Sequence, residues 1–380
     1  MGCGKTLASV KGKKVVLLTT VHPPFDTRIF HKQAKTLVKA GYDVTLITQH
    51  DRNDVVDGVK ILALPKQRNR LDRICGLTWR AFRLALRQRA EVYHFHDPEL
   101  LPVGALLKLL TRAKVIYDVH EDIPAQVLTK HWIPGPLRKP LAVAFHLFEK
   151  CLARALDAVV VATEGIAEKF RGLNPVVVHN YPDLEMLPVS SAAPRERDEK
   201  VLVYVGGLSK LRGAVEMVRS LEYLAHTDGL RLDLIGPFES PELERELQKL
   251  PGYKNVRALG WFQPPKVYKR LKEADIGLVC IHPVPRYVMA LPTKLFEYMA
   301  AGLPVVASDF PLWREIVEGA GCGLLVNPLD PEDIARGVRY LLEHPEEARA
   351  MGRRGREAVM QRYNWEIEAE KLLQCYEELT

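Results

Sequence analysis

The sequence predicts an α/β protein built from two doubly wound, Rossmann-like parallel-sheet domains. Three observations carry this expectation. The length of 380 residues fits two domains of ordinary size, each able to bury a core. Two series of short Val/Ile/Leu-rich runs alternate with amphipathic stretches. A polar segment rich in Pro, Ser and Ala separates the two series.

In the first series the expected strands are Val15–Thr20, Val44–Thr48, Val59–Leu64, Val92–His96, Val115–Val119, Ala158–Ala162 and Val176–His179. They are apolar nearly throughout, as strands covered on both faces should be. Helical patterns such as Phe30–Ala40 and Trp79–Arg89 lie between them, which is βαβ repetition. The segment PVSSAAPRERDEK, residues 188–200, reads as an interdomain linker. The alternation then restarts with Val201–Val205, Leu232–Ile235, Val256–Leu259, Ile276–Val279, Val305–Ala307 and Leu324–Val326. The expected domains are therefore residues 1–187 and 201–364, with a helical tail over 365–380 that could pack back on the first. Open α/β sheets take ligands at the carboxyl ends of their strands, so chemistry is expected just after the strands, facing a central cleft.

Composition excludes several classes. A 47% hydrophobic, 27% charged chain is neither disordered nor collagen-like. No apolar run is long enough to span a membrane, and the N-terminus lacks the apolar core of a signal peptide. The 6 cysteines are scattered without a C-x-x-C, which suggests reduced thiols and no zinc site. Gly4-Lys5-Thr6 and Met1-Gly2 resemble fragments of a P-loop and a myristoylation signal, and both lack the context such motifs need. The net charge of +7 is unevenly held: residues 1–190 carry +10 and residues 191–380 carry −3. Lys66 to Arg89 hold eight basic residues and one acid, with Trp79 and Phe82 interleaved. A second basic-aromatic stretch, Lys130 to Lys150, includes Trp132, Phe145 and Phe148. Such stretches suit an anionic membrane surface, and a solvated helix face is the plain alternative. No nucleic-acid recognition signature is present.

Two segments of the second domain point to a phosphate site. The strand Val201–Val205 runs into Gly206-Gly207 and then Lys210, Arg212 and Gly213. Glycine after a strand lets a ligand approach the backbone, and the cations suit an anion. In PTKLFEYMAAGLPVVAS, Thr293 is expected to cap a helix and Lys294 falls in its first turn. A cation there opposes the helix dipole unless an anion binds. Glu297 lies on the same face and is suited to accepting two ribose hydroxyls. The plain alternative is a surface Lys–Glu pair.

The stretches YVGGLSKLRG, LDLIG, LGWFQPPKVYKRLKEADIGLV, PTKLFEYMAAGLPVVAS and GLLVNPLDPEDIA closely resemble family 4 of the GT-B-fold glycosyltransferases, a retaining group. The resemblance implies that Glu297 binds the ribose, and that Thr293, Lys294 and Leu295 at the helix start bind the diphosphate. It also implies that Trp261 or Phe262 lies near the base. Two positions depart from the family pattern. Met289 stands where the family has the first Glu of E-x7-E, and Gly207 stands where it often has Arg. Arg212 is then the substitute cation, with Lys294 supplying a second charge.

In the first domain, HFHDPELLP and YDVHED match family motifs at two strand ends. A buried histidine with a carboxylate partner is the plain reading. The resemblance implies that His120 lies beside the donor sugar and its phosphate, with His96, Asp97 and Glu121 among the sugar or acceptor contacts. The turn His22 to Arg28 matches the loop after the first strand, with Asp26 and Thr27 in place of its usual glycine pair. Arg28 is expected to meet an anionic acceptor or the diphosphate.

The resulting expectation is a cytoplasmic glycosyltransferase, peripheral on the inner face of the cell membrane, working on cell-surface glycans. It would transfer a sugar with retention from a nucleotide-sugar, UDP- or GDP-linked, to a lipid-linked or polysaccharide acceptor. His120, Arg212 and Lys294 would support catalysis without a metal or other cofactor. A nucleotide-sugar epimerase and a non-catalytic nucleotide-sugar or glycan binder are the alternatives.

Overall fold

The computed structural model describes residues 12–130, 133–186 and 199–380. The two N-terminal fragments, Trp132 and most of the expected linker lie outside these residues. The chain forms two compact units: one ends at Asn180 and takes back Trp365–Thr380, and the other is Tyr181–Asn364. The chain thus passes between units at Asn180/Tyr181 and Asn364/Trp365.

The first unit holds β1 (Lys14–Leu18), β2 (Asp43–Gln49), β3 (Asp54–Val56), β4 (Val59–Leu64), β5 (Val92–Phe95), β6 (Lys114–Val119), β7 (Ala158–Val161) and β8 (Val176–Val177). They form one sheet in the order β3-β4-β2-β1-β5-β6-β7-β8. All neighbours pair in parallel except β3 and β4. Leaving out β3, the order is that of a doubly wound nucleotide-binding sheet with one further strand. Val15 to Leu18 are fully buried because helices cover both faces of the central strand. The strand β3 is absent from the expectation; it is an edge hairpin arm closed by Asp57-Gly58, both at positive φ.

The second unit holds β9 (Lys200–Val205), β10 (Leu230–Ile235), β11 (Val256–Gly260), β12 (Ile276–Val279), β13 (Val305–Ser308) and β14 (Gly323–Val326). The order is β11-β10-β9-β12-β13-β14, all parallel, with the reversal beside β9. That reversal opens a crevice at the carboxyl ends of β9 and β12.

The tail helix Trp365–Leu379 packs on the first unit. Trp365, Leu372 and Tyr376 enter the core layer that holds Ile29, Phe30 and Leu37. Trp365 Nε1 donates to Thr36 Oγ1 at 2.9 Å, and Tyr376 Oη lies 2.8 Å from His94 Nδ1. No described helix is long and apolar enough to cross a membrane.

Candidate active site

In the second unit the carboxyl end of β9 opens into Gly206-Gly207. Gly206 has φ +124°, and a Cβ on Gly236 would lie 2.1 Å from the Gly206 carbonyl oxygen. The two loops therefore approach as only glycines allow. Helix Thr293–Ala301 starts beside this turn and brings Lys294 to it. A Cβ on Gly206 would meet Lys294 Nζ at 2.9 Å, and one on Gly207 would meet Arg212 Nη1 at 2.9 Å. Each glycine thus leaves room in front of one cation.

Lys294 is buried, and its Nζ has no hydrogen-bond partner. It lies 3.8 Å from the centre of the Tyr204 ring, a cation–π contact that offsets part of the lost hydration. Burial, then the nearby Arg212 guanidinium, push the Lys294 pKa well below its ordinary value, while Glu297 opposes the shift. Arg212 Nη1 donates to the Gly207 carbonyl at 3.3 Å, and Tyr287 also hydrogen-bonds the guanidinium. Arg212, beside a Lys294 amine that an arriving anion would help protonate, makes this turn an anion site by its electrostatics. Tyr298 carries the floor of the site, accepting from the Val205 N–H at 2.7 Å.

Three expectations for this unit change. Thr293 is the first helical residue and Pro292 occupies the cap position, without a side-chain cap. Proline fits there because it lacks an N–H to lose. Leu295 is fully buried and its N–H donates to the Pro292 carbonyl at 3.0 Å, so it has nothing to present to a ligand. Lys210 pairs with Glu246 at 2.7 Å on the surface, leaving Arg212 as the loop's cation at the glycines. Trp261 is exposed, whereas Phe262 is partly buried beneath Lys266 Nζ at 4.0 Å. Tyr204, Tyr287, Tyr298 and Gly236 escape the sequence reading. The first is a strand residue indistinguishable by pattern from core, and the glycine after Ile235 was the available signal.

In the first unit the carboxyl ends of β1, β5 and β6 gather a buried polar cluster. Asp118 is its centre. Arg28 grips it with both arms, Nε to Oδ2 at 3.1 Å and Nη2 to Oδ1 at 2.9 Å, and donates Nη1 to the Val178 carbonyl at 2.8 Å. Gln33 donates to the same carboxylate. Burial alone would raise the Asp118 pKa, but Arg28 first and then His120 hold it well below the carboxylate range. Around Asp118 Oδ2 stand His94 Nε2 at 3.7 Å, His96 Nδ1 at 3.5 Å and His120 Nε2 at 3.4 Å. His96 Nδ1 and His120 Nε2 are 2.9 Å apart, so one donates to the other. Burial pushes His96 down to about 4 and keeps it neutral at ordinary pH.

Here too the geometry corrects the expectation. Arg28 is buried with its guanidinium fully engaged, so it braces Asp118 and meets no acceptor. Asp97 is also buried, accepting from Thr19 Oγ1 at 2.9 Å and from the Thr20 and Val21 backbone N–H groups. It fixes the turn after β1. Asp26 caps the following helix, accepting from the Arg28 and Ile29 N–H groups at 2.8 and 2.9 Å. His96 is buried behind His120. His120 is partly exposed, and Glu121 is exposed and accepts from Gln126. His22, whose ring centre is 5.3 Å from that of His120, joins them without having been assigned a role from sequence. Its pKa is raised: burial opposes this, but Asp26 and Asp97 outweigh it.

Among the described residues, His94, His96 and Asp118 form one group whose ligand atoms lie within 4.8 Å of one another, close enough to hold a metal ion. The Arg28 guanidinium already neutralises Asp118, so a cation placed there would face that charge.

Comparison with known proteins agrees with this anatomy. The profile "Glycosyl transferase 4-like domain" matches residues 27–181, and "Glycosyl transferases group 1" matches residues 190–358. A glycogen synthase of Mycobacterium tuberculosis is 23% identical over 96% of this chain and 94% of its own length. Sucrose-phosphate synthase from Thermosynechococcus elongatus superposes with a TM-score of 0.77 at 20% identity, covering 97% of this chain and 99% of that one. Anabaena HepE, solved with UDP and glucose, gives 0.72 at 15% identity, covering 96% and 100%. The two profiles together span most of both units, in order, and the chain belongs to family 4 of the GT-B-fold glycosyltransferases.

Proposed function

We propose that this glycosyltransferase moves a sugar from a UDP- or GDP-sugar to a lipid-linked or polysaccharide acceptor, with retention of configuration, in cell-surface glycan assembly. The observation that supports this best is the glycine pair facing Lys294 and Arg212, two basic side chains arranged for a diphosphate. On this reading Glu297, one turn beyond Lys294, takes the ribose hydroxyls, and Trp261 or Phe262 borders the base. His120 stabilises charge on the departing phosphate, and the leaving phosphate accepts the acceptor's proton. The chain then acts by positioning and by neutralising the diphosphate, with no metal step. HepE, crystallised with UDP and glucose, makes UDP the first nucleotide to try.

The basic first half further suggests a peripheral site on the inner face of the cell membrane, with no nucleic-acid partner. Changing Arg80, Arg83 and Arg87 to Glu should then release the protein from anionic vesicles.

A thermal-shift screen across UDP-, GDP-, dTDP- and CMP-sugars tests the donor assignment. One nucleotide should stabilise the wild type, and Glu297→Ala should lose most of that shift. An unchanged shift in the variant would remove Glu297 from the ribose site. Formation of an epimer from donor alone would overturn transfer as the reaction.

A further inference from the structure

The sites described above occupy the carboxyl ends of the strands. At the opposite end of the first sheet lies a pocket of about 800 Å³. It opens where β1, β5 and β6, three adjacent strands, begin. Strands of this length put on the order of 15–20 Å between the pocket and the His120 cluster. Five cations line it: Lys13, Arg87, Arg89, Arg112 and Lys114. The acid among them, Glu91, is occupied by the Lys14 N–H at 2.6 Å. Lys13 donates to the Thr380 carbonyl at 3.0 Å, and Lys114 lies 3.6 Å from Asp157. Arg87, Arg89 and Arg112 are exposed and make no ion pair among the described residues.

Two features say that this is more than a solvated surface. Arg89 ends its helix in the left-handed region, φ 52° and ψ 51°, where glycine or asparagine would sit with less strain. The fold keeps an arginine at that cost. The pocket walls are also apolar, with Leu86, Leu110 and Leu379. Beside it, at the C-terminal end of helix Leu101–Leu110, Leu109 is exposed at 78% and Leu110 is exposed as well. A soluble anion needs the guanidinium groups and has no use for exposed leucines. An anionic amphiphile uses both.

We propose that this pocket holds the phosphate headgroup of an anionic lipid, with Leu109 and Leu110 entering the bilayer boundary. The proposal rests on the membrane reading above and specifies its anchoring point. It places membrane attachment at the end of the first sheet remote from the His120 cluster, so attachment and donor binding are separable by mutation.

The test is co-sedimentation with phosphatidylcholine vesicles, with and without about 30% phosphatidylglycerol. The wild type should pellet only with the anionic vesicles. Arg89→Gly combined with Arg112→Glu should weaken that binding about a hundredfold, with nucleotide affinity unchanged and melting temperature not lowered. Leu109→Ser alone should weaken it as well, though the charges remain. If the wild type never pellets, the membrane reading itself fails. If it pellets and the double variant pellets equally, the membrane reading stands and the pocket assignment is overturned. If inorganic phosphate stabilises the wild type but not the double variant, and vesicles bind neither, the ligand is a free anion and the lipid is overturned.

Discussion

Lys294 Nζ sits 3.8 Å from the centre of the Tyr204 ring and has no hydrogen-bond partner. A buried lysine in that state faces only an aromatic ring until an anion arrives. Burial and the Arg212 guanidinium hold its pKa well below the ordinary lysine value. Protonated Lys294 therefore costs folding stability at pH values below its depressed pKa. That cost fades as pH rises toward 10.5.

A diphosphate placed beside Lys294 should reverse the shift and draw a proton on binding. At about pH 8.5 the diphosphate itself is fully ionised, so uptake reports the protein. Calorimetry of UDP binding in two buffers of different ionisation heat should show the uptake. Lys294→Met should abolish it, weaken binding about 10–100-fold and raise the melting temperature of the free protein. Equal heats in both buffers with unchanged affinity would remove Lys294 from the diphosphate site.

Arg28 and Asp118 make a buried, two-armed ion pair. Arg28→Leu strands the Asp118 carboxylate among three histidines and should cost about 3–5 kcal/mol in urea unfolding. Because the Asp118 pKa is depressed, the wild-type contribution is present above pH 3.8 and is lost as pH falls through the lower folded value. Arg28→Leu should flatten that acid limb. A variant of normal stability with only a raised KM for acceptor would restore Arg28 to the acceptor site.

The same pair marks what sequence could and could not reveal. The strand runs, their order of alternation and the glycine turns were legible, because burial on two faces writes itself as unbroken Val, Ile and Leu. The hairpin arm β3 was missed although Asp57-Gly58 is a strong turn signal, because Asp54–Val56 is too short to show a period. The charged residues were the harder part. Arg28 finds its partner 90 positions away and Lys210 finds Glu246 36 positions away. No spacing rule connects such residues, so each read as a free cation near a strand end. Lys294 was legible for a different reason: a cation in a first helical turn conflicts locally with the dipole, and local conflicts are visible in sequence.

Gly236 and Gly207 should respond differently to alanine. At Gly236 the new Cβ would meet backbone, the Gly206 carbonyl oxygen at 2.1 Å, with φ at +150°. Neither can yield, so Gly236→Ala should cost about 1–3 kcal/mol and distort the phosphate turn. At Gly207 the Cβ would meet the mobile end of Arg212, so stability should hold within about 0.5 kcal/mol while nucleotide binding weakens. Thermal unfolding and nucleotide titration of the two variants separate these outcomes. Equal loss of stability in both would refute the distinction.

The tail helix is latched by His179. Its N–H donates to Glu368 Oε2 at 2.8 Å, its Nδ1 lies 3.3 Å from Glu368 Oε1, and its Nε2 lies 3.1 Å from Glu164. Burial would lower the His179 pKa, but the hydrogen bonds to Glu164 and Glu368 outweigh it and the value is raised. A raised histidine stabilises most below its unfolded pKa of about 6.5, and the contribution is lost as pH rises through the folded value. Amide exchange in Trp365–Leu379, corrected for intrinsic rate, should therefore show stronger protection at about pH 6 than at about pH 8.5. His179→Gln keeps a neutral hydrogen-bonding side chain without the charge, and it should erase the difference by lowering protection at the acid end. If the variant keeps the wild-type pH trend, another group controls the docking of the tail. If neither protein shows a trend, the latch does not depend on the imidazolium.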